Sequence, residues 1–270
     1  MNEFKKSKVT LKIDSVDLEI SMIRREGTKD PILFLHGFGS TKEDYLDIIR
    51  QSSLGEYPFL AYDAPGCGET ICSDSAKVSI QLQLKTAIAM LNHCEIDCFH
   101  LVGHSMGGLN ALMLADQFPQ RVMSFTDIEG NISPEDCFLS RQILDFPSDD
   151  ASEFFEHFIE RTLHTPAYSS PLYSASLRYK VRVKAVPGIF KSMVDLSDNA
   201  NLMDKFLALP CPKLFMYGEQ NRTLSYLSNI QDKGVRLAEI PECGHFPMYS
   251  NAPAMWQQFS KFLLSTDEHH

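Results

Sequence analysis

Paired cysteine motifs are missing from this sequence, although the chain contains seven cysteines. They are Cys67, Cys72, Cys94, Cys98, Cys137, Cys211 and Cys243. Their number is odd, no two have the Cys-x-x-Cys spacing, and the close pair Cys94 and Cys98 has no matching second pair. A disulfide framework or a zinc site needs regular pairs, so the spacing argues against both and indicates a reducing compartment.

Long apolar runs are missing as well. No stretch reaches the roughly 18 consecutive apolar residues that a membrane-spanning helix needs. The N-terminal residues 1–6 are not followed by the apolar segment of a secretory signal. We therefore predict a protein without a membrane span and with a cytoplasmic location.

Positive charge is scarce, since 25 Lys and Arg stand against 35 Asp and Glu, for a formal net charge of -10. Nucleic acid binding needs concentrated Lys and Arg to neutralise phosphates, so nucleic acid is excluded as a main partner. A local exception is the segment 178–184, with four basic residues in seven. Two interpretations of it stay open: a solvated helix face, or a patch that steers an anionic substrate.

Hydrophobic periodicity predicts an alternation of strands and helices. The predicted strands are two within 9–24, then 31–35, 59–62, 98–102, 122–128, 213–217 and 235–240, and helices are predicted at 79–93, 109–117 and 253–264. Continuous apolar runs such as 31–35 are typical of strands that are buried on both faces. This order predicts a three-layer α/β/α sandwich with a mostly parallel, eight-stranded sheet.

The strand pattern stops between residues 131 and 209. Helical spacing predicts segments at 135–146, 151–163, 172–186, 188–196 and 201–207. No linker rich in proline, glycine or serine divides the 270 residues, so one domain with an insertion is predicted. We expect a core of residues 1–130 and 210–270, and a helical lid of residues 131–209.

The motif Gly-x-Ser-x-Gly occupies residues 103–107, between the apolar run 98–102 and the helix-forming segment 109–115. Strand, sharp turn and helix in this order form a nucleophile elbow, which lifts a serine hydroxyl above the sheet edge. Gly103 and Gly107 flank Ser105 because side chains there would clash where strand and helix fold back on each other. An ordinary turn that carries a serine is the simpler alternative, but the flanking pattern favours Ser105 as a nucleophile.

A serine hydroxyl is a poor nucleophile at neutral pH and needs a base within hydrogen-bond reach. His245 is one of nine histidines, and it follows the last predicted strand on a loop that the sheet would bring over Ser105. His245 is therefore the predicted base. We expect His104 to pack beside the elbow and His36 to shape the loop after the third strand.

Four motifs together resemble the α/β-hydrolase family, and the resemblance extends from residue 31 to about 264. They are His-Gly-Phe-Gly at 36–39, Asp-x-x-Gly-x-Gly at 63–68, Gly-His-Ser-Met-Gly-Gly at 103–108 and Gly-His-Phe-Pro at 244–247. The resemblance implies the family order of nucleophile, acid and histidine. It also implies that the backbone N–H groups of Phe38 and Met106 form the oxyanion hole.

The acid departs from the commonest family pattern. Many members carry it as Gly-x-x-Asp after the strand that corresponds to 213–217, whereas residues 218–221 end in Asn221. Haloalkane dehalogenases and their relatives place a glutamate directly after the sixth strand, and Glu129 resembles that position. The resemblance therefore implies Glu129 as the acid. Asp127, Glu219 and a site without a charged acid remain alternatives, and Glu129 would otherwise cap the first helix of the insertion.

The expected reaction is hydrolysis of carboxylic esters through a Ser-His-Glu triad and an acyl-enzyme. Because the nucleophile is serine, dehalogenation is not expected, and neither a metal nor an organic cofactor is implied. Apolar side chains of the insertion predict a small or medium, largely apolar substrate. The residues expected to bind it are Phe38, Phe138, Ile143, Phe190, Met193 and Phe246.

Other functions of the same residues stay open. A thioesterase, a lactone or amide hydrolase and a hydrolase of carbon–carbon bonds would use the same triad. A ligand-sensing protein without catalysis is the alternative of another class, and Asn221 is the feature that favours it. The chain is expected to be a monomer or a homodimer.

Overall fold

The computed structural model describes residues 4–267, which form a sheet covered by helices on both faces. The strands are β1 (Lys5–Ile13), β2 (Val16–Arg25), β3 (Ile32–Leu35), β4 (Phe59–Tyr62), β5 (Ile71–Cys72), β6 (Phe99–His104), β7 (Val122–Ile128), β8 (Lys213–Gly218) and β9 (Arg236–Ile240). The helices are α1 (Ile80–His93), α2 (Met106–Gln117), α3 (Ala151–Leu163), α4 (Ser170–Lys180), α5 (Val186–Asn199), α6 (Leu202–Ala208), α7 (Leu227–Asp232), α8 (Pro247–Ser250) and α9 (Ala252–Asp267).

The long strands follow the order β1-β2-β4-β3-β6-β7-β8-β9. β1 and β2 form an antiparallel hairpin, β2 is antiparallel to β4, and the neighbours from β4 to β9 are parallel. The predicted α/β architecture with a mostly parallel, eight-stranded sheet is thereby confirmed. The short strand β5, which pairs with β2, has no counterpart among the predicted strands.

The centre of the sheet consists of β3, β4 and β6, and all their residues are buried. Successive side chains of a strand point to opposite faces. In β3, Leu33 and Leu35 therefore join the apolar layer of α1 and α2, while Ile32 and Phe34 join the layer of α9. This double burial explains the continuous apolar runs of the sequence.

The insertion, defined here as residues 131–209, connects β7 to β8 and contains α3 to α6 without a strand, in a stretch that is described completely. The prediction of a helix at 135–146 is wrong, because two 3-10 turns, Pro134–Cys137 and Ser140–Ile143, occupy this segment. The carboxylate of Asp136 accepts the amides of Ile132 and Ser133 at 2.9 and 2.8 Å. These bonds close a tight turn in place of an α-helical ladder.

The predicted helix 172–186 also ends early, as α4, at Lys180. The chain then pairs with the turn 63–68: the Gly68 amide donates to the Lys180 carbonyl at 2.7 Å, and the Arg182 amide donates to the Gly66 carbonyl at 2.9 Å. The turn itself has a structural role, since Asp63 forms a buried ion pair with Lys42 at 2.7 Å. Pairing between loops therefore decides where α4 ends.

The basic segment 178–184 is largely occupied by contacts within the protein. Arg178 forms an ion pair with Glu156, Lys180 donates to the Tyr249 hydroxyl at 3.1 Å, and Arg182 donates to the Gly68 carbonyl at 2.6 Å. These partners argue against the interpretation of the segment as a patch that steers an anionic substrate. Within residues 4–267 no helix is long and apolar enough to cross a membrane. The same range contains no cluster of His, Cys, Asp or Glu that could bind a metal ion.

Candidate active site

Ser105 lies at the tip of a sharp turn between β6 and α2. Its backbone has φ 51° and ψ -120°, a conformation that costs a non-glycine residue about 1–3 kcal/mol and often marks a functional site. The amide of Ser105 donates to the Ile128 carbonyl at 3.0 Å, which ties the turn to β7. A Cβ atom on Gly103 would lie 2.5 Å from the carbonyl oxygen of Gly107. The tight approach of strand and helix therefore requires a glycine, as predicted.

His245 connects Ser105 to a carboxylate. Its Nε2 atom lies 2.9 Å from Ser105 Oγ, and its Nδ1 atom lies 2.7 Å from Glu129 Oε2. The ring of His104 is buried, and its Nε2 atom lies 2.8 Å from the His245 carbonyl, so it supports the histidine loop. Burial lowers the pKa of His104 well below its usual value, which keeps this ring neutral.

Glu129 follows β7 directly and has a positive φ of 46°. Its amide donates to the Met216 carbonyl at 3.0 Å, which fixes the backbone against β8. Its Oε1 atom accepts the Gly218 amide at 2.7 Å, and its Oε2 atom accepts the Asn221 side-chain amide at 2.6 Å besides contacting His245. An ionised carboxylate accepts all of these hydrogen bonds, so the arrangement orients it toward the imidazole.

The alternative acids lie elsewhere. Asp127 is fully buried, accepts the Gly130 amide at 2.7 Å, and has a pKa raised well above its usual value by that burial. Glu219 accepts the Glu242 amide at 2.9 Å and forms no part of the chain from Ser105 to Glu129. Asn221, at the position where the commoner family pattern predicts the acid, donates its side-chain amide to Glu129. The structure therefore brings together Ser105, His245 and Glu129, and leaves Asp127 and Glu219 outside.

Of the expected oxyanion donors, Met106 directly follows Ser105, and Phe38 lines the same cavity as Ser105. Met106 begins α2, and the first amides of a helix have no acceptor within the helix and favour negative charge. The Phe38 amide belongs to the peptide whose carbonyl is that of Gly37. This carbonyl accepts the Ser40 amide at 3.1 Å and lies 2.8 Å from His36 Nδ1, and because a peptide is planar, these contacts restrict the direction of the Phe38 N–H.

His36 is oriented by a second contact. The Ala64 amide donates to His36 Nε2 at 2.9 Å, so Nε2 is the acceptor and Nδ1 carries the proton. Nδ1 can therefore donate to the Gly37 carbonyl. This agrees with the expectation that His36 shapes the loop after β3.

A small cavity lies above Ser105. It is lined by Phe38, Ser105, Asp136, Phe138, Leu139, Ser140, Tyr173, Phe190, Met193, His245 and Phe246. Its volume of about 20 Å³ leaves room for roughly one water molecule. Any organic substrate therefore requires a side chain of the wall to move.

Of the residues predicted to bind substrate, Phe38, Phe138, Phe190, Met193 and Phe246 line this cavity. Ile143 does not; it lines a separate cavity of about 270 Å³ on the outer side of the insertion. The prediction for Ile143 assumed an α-helix at 135–146, and the 3-10 turns that replace it do not keep that helical face.

Phe138 is the most exposed residue of the cavity wall. Its side chain is 53% exposed, and its ring meets the edge of the His245 ring at a centroid distance of 5.4 Å. It also lines an open groove of about 640 Å³ and a cavity of about 110 Å³ beside Glu129. Displacement of this one side chain would connect the groove with the space over Ser105.

Three polar residues of the wall, Asp136, Ser140 and Tyr173, were not predicted, and two of them form directed contacts. Tyr173 donates its hydroxyl to the Phe38 carbonyl at 2.9 Å. Asp136 accepts the Tyr226 hydroxyl at 2.8 Å, and burial raises its pKa to about 6. Helical periodicity predicts only that Tyr173 faces inward. The pattern of capping residues predicts only that Asp136 could cap a helix. No local signal in the sequence reports these contacts.

A profile of the Alpha/beta hydrolase family matches residues 32–257. The chain therefore belongs to the alpha/beta hydrolase family.

Two relatives match shorter stretches at higher identity. The chain is 37% identical over 100 residues to the dihydrolipoyllysine-residue acetyltransferase component of the acetoin cleaving system of Pseudomonas putida, over 36% of this chain and 25% of that protein. It is 35% identical over 103 residues to a protein of Mycobacterium tuberculosis that is named an esterase, over 38% of this chain and 34% of that protein. The matches thus span about a quarter to a third of the length of these relatives.

The fold is also similar to solved structures. A structure from work on carboxylesterases of the thaumarchaeon Nitrososphaera gargenis has a TM-score of 0.78 and 15% sequence identity, over 97% of this chain and 100% of that chain. At this identity the similarity concerns the fold alone.

Proposed function

We propose that this protein is a serine hydrolase that cleaves carboxylic esters through Ser105, His245 and Glu129. The observation that carries the proposal is the continuous hydrogen-bonded chain of these three residues, with distances of 2.9 and 2.7 Å. They follow the carboxyl ends of β6, β9 and β7, where α/β sheets bind their ligands. Membership of the family and the relative named an esterase support the same reaction.

The mechanism begins with transfer of the Ser105 hydroxyl proton to His245 Nε2 while Oγ attacks the ester carbonyl. The negative oxygen of the tetrahedral intermediate accepts the amides of Phe38 and Met106. Glu129 keeps the Nδ1 proton of His245 in place and balances the imidazolium charge. The bond between the carbonyl carbon and the alkoxide oxygen then breaks, and the imidazolium donates its Nε2 proton to the departing oxygen. The alcohol leaves, and the acyl group remains bonded to Ser105 Oγ.

Deacylation repeats these steps with water as the nucleophile. His245 Nε2 takes a proton from the water molecule, and the hydroxide equivalent attacks the acyl carbonyl. Collapse of the second intermediate returns the proton to Ser105 and releases the carboxylic acid. The ester, one water molecule and the three side chains together balance this sequence.

The insertion acts as a lid in this proposal. The lining of Phe38, Phe190, Met193 and Phe246 is apolar and favours an apolar acyl group. A volume of about 20 Å³ requires displacement of Phe138 before a small or medium ester binds. The division into a core of residues 1–130 and 210–270 and a lid of residues 131–209, a cytoplasmic location, and a monomeric or homodimeric state are kept as predictions.

Thioesters, lactones, amides and carbon–carbon bonds are alternative substrates, because the same three residues would serve them. The alternative of a ligand-sensing protein rested on Asn221, which replaces the usual acid. This alternative is weakened because Asn221 donates to Glu129 and so supports a carboxylate that contacts His245.

The proposal is tested with a fluorophosphonate probe and a substrate panel. We expect labelling of the wild-type protein, loss of labelling in Ser105→Ala, and turnover of p-nitrophenyl acetate and butyrate. Thioester and lactone substrates in the same panel separate the remaining hydrolases. A folded wild-type protein that neither reacts with the probe nor turns over any substrate of the panel would contradict the proposal.

A further inference from the structure

Helix α4 of the insertion lies directly against the loop that carries Phe38. Gly39 in this loop has φ +72°, and a Cβ atom there would collide with the side chains of Leu177 and Tyr173. A positive φ with a close neighbour requires glycine. The loop and the helix are therefore packed as closely as a backbone without a side chain allows.

Tyr173 forms a polar contact across this boundary. Its side chain is 1% exposed, and its hydroxyl donates to the Phe38 carbonyl at 2.9 Å. The preceding carbonyl, that of Gly37, contacts His36 and the Ser40 amide. The carbonyls of Gly37 and Phe38 belong to the two peptide planes that flank the Phe38 Cα atom, and both accept hydrogen bonds. The φ and ψ angles of Phe38 are therefore restricted, and together these bonds set the direction of its N–H.

The ring of Tyr173 reaches the other side of the site. It packs against Phe246 at a centroid distance of 4.2 Å, and Phe246 packs against the His245 ring at 5.0 Å. One side chain of the insertion thus contacts both the loop of the expected oxyanion donor and the loop of the expected base.

Helix α4 is attached to the core at both ends. Before its first turn, the Tyr168 amide donates to Gln220 Oε1 at 2.9 Å, and Ser169 Oγ lies 2.7 Å from Ser250 Oγ. After its last turn, the Lys180 carbonyl accepts the Gly68 amide at 2.7 Å. Movement of the whole helix would break these contacts together with the bond of Tyr173.

We propose that Tyr173 is a positioning residue for the oxyanion hole, so that the α4 half of the insertion completes the catalytic site while access occurs past Phe138. The proposal rests on the proposed function, because it assigns the Phe38 amide to an oxyanion. The inference also goes beyond the proposed function, since it divides the insertion into a fixed half, which contains α4, and a half that opens, which contains Phe138. Tyr173 acts through Phe38 and touches no reacting atom.

The test compares Tyr173→Phe with Tyr179→Phe, a matched change on the same helix at a side chain that is 82% exposed. Loss of a whole oxyanion donor lowers kcat by about 10²- to 10³-fold, so a donor that is only misdirected should cost about 10- to 100-fold. We expect this fall in kcat for Tyr173→Phe with KM unchanged within about twofold. The variant should also lose a similar factor in affinity for a boronic acid transition-state analogue, and Tyr179→Phe should match the wild type.

A merely structural role would give a different pattern. Tyr173→Phe would then lower the melting temperature but leave kcat and the affinity for the boronic acid unchanged in the folded variant, and this outcome overturns the proposal. If wild-type Ser105 does not react with a fluorophosphonate, the proposed function fails, and this inference fails with it. A reactive wild type with an equally active Tyr173→Phe overturns the positioning role alone.

A second variant covers the case in which Tyr173→Phe does not fold. Gln220 is exposed, and Gln220→Ala removes the acceptor of the Tyr168 amide at the start of α4 without altering the buried core. We expect a severalfold lower kcat at unchanged KM, because α4 and Tyr173 gain freedom. A kcat equal to that of the wild type overturns the proposal.

Discussion

The contact between Glu129 and Asn221 can be tested by exchanging their carboxylate and amide groups. The neutral side-chain amide of Asn221 donates one hydrogen bond of 2.6 Å to the Glu129 carboxylate. Glu129→Gln retains the shape but has one acceptor oxygen instead of two. That oxygen cannot serve Gly218, Asn221 and His245 together. We expect kcat to fall about 10³- to 10⁴-fold with little change in KM, because the imidazolium loses its counter-charge and its tautomer is no longer fixed.

The reverse change, Asn221→Asp, places two carboxylates in contact. At about 3 Å and an effective dielectric constant of about 20, their repulsion reaches about 5 kcal/mol as an upper bound. The folded pair therefore retains a proton that the unfolded chain releases, so its pKa lies above the unfolded value. The stabilising hydrogen bond is present below about pH 4 and is lost as the pH rises through the folded pKa.

The measurements are kcat and KM for p-nitrophenyl acetate and the free energy of unfolding in urea at pH 5 and pH 8. We expect Asn221→Asp to lose more stability than the wild type between these two pH values. The double variant Glu129→Gln, Asn221→Asp has one carboxylate and one amide again, so its stability at pH 8 should recover and its kcat should exceed that of Glu129→Gln.

Glu219→Gln is the matched control, since Glu219 lies in the same loop and contacts the Glu242 amide instead of His245. Its kcat should remain within about twofold of the wild type. A severe loss in Glu219→Gln with a mild one in Glu129→Gln would refute the assignment of the acid. Equal stability of Asn221→Asp and the wild type at pH 8 would refute the electrostatic argument.

Three further predictions concern the walls of the site. Phe138→Ala should raise kcat/KM for p-nitrophenyl butyrate relative to acetate at least severalfold, because the space over Ser105 becomes continuous with the outer groove; an unchanged ratio counts against access past Phe138. Burial raises the pKa of Asp136 from 3.8 to about 6, so the protonated carboxyl favours the folded state. This contribution to the free energy of unfolding is present below about pH 4 and is lost above pH 6. The urea stability of the wild type should therefore fall by about 3 kcal/mol between pH 4 and 7 relative to Asp136→Asn, and parallel pH profiles would exclude this. Gly39→Ala should lower the unfolding free energy by about 2 kcal/mol or more, since it adds strain at a positive φ and a collision with Leu177, and a calorimetric melt like that of the wild type would contradict the packing of α4.

Much of the core could be predicted because its signals are local. A strand such as β3 is buried on both faces and therefore reads as an unbroken apolar run. Ser105 and His245 follow strand ends, where chain order alone indicates that they meet. Local signals were not sufficient to predict Glu129. It was identified only through a family resemblance, and only because Asn221 occupies the commoner position of the acid.

The insertion was harder to predict because its contacts are not local. Periodicity favoured a helix over 135–146, but the side chain of Asp136 closes a turn there instead. Tyr173 donates to a carbonyl 135 positions away in the sequence, and no residue near Tyr173 in the sequence indicates this partner. Periodicity identifies the buried face of a helix and leaves open which buried residue carries a directed polar bond.

The location of the Glu129 carboxylate directly after β7 has a consequence for the loop that follows β8. By the resemblance to the α/β-hydrolase family, this loop would carry the acid at the position of Asn221, but asparagine has no carboxylate. Here Gln220 contacts both Tyr168 and Pro166, and Ser225 donates to Glu135, so the loop instead fastens two distant parts of the insertion to the sheet. Under the proposed function, sequence changes in this loop would therefore alter how firmly the insertion is held over the site, without replacing Ser105, His245 or Glu129.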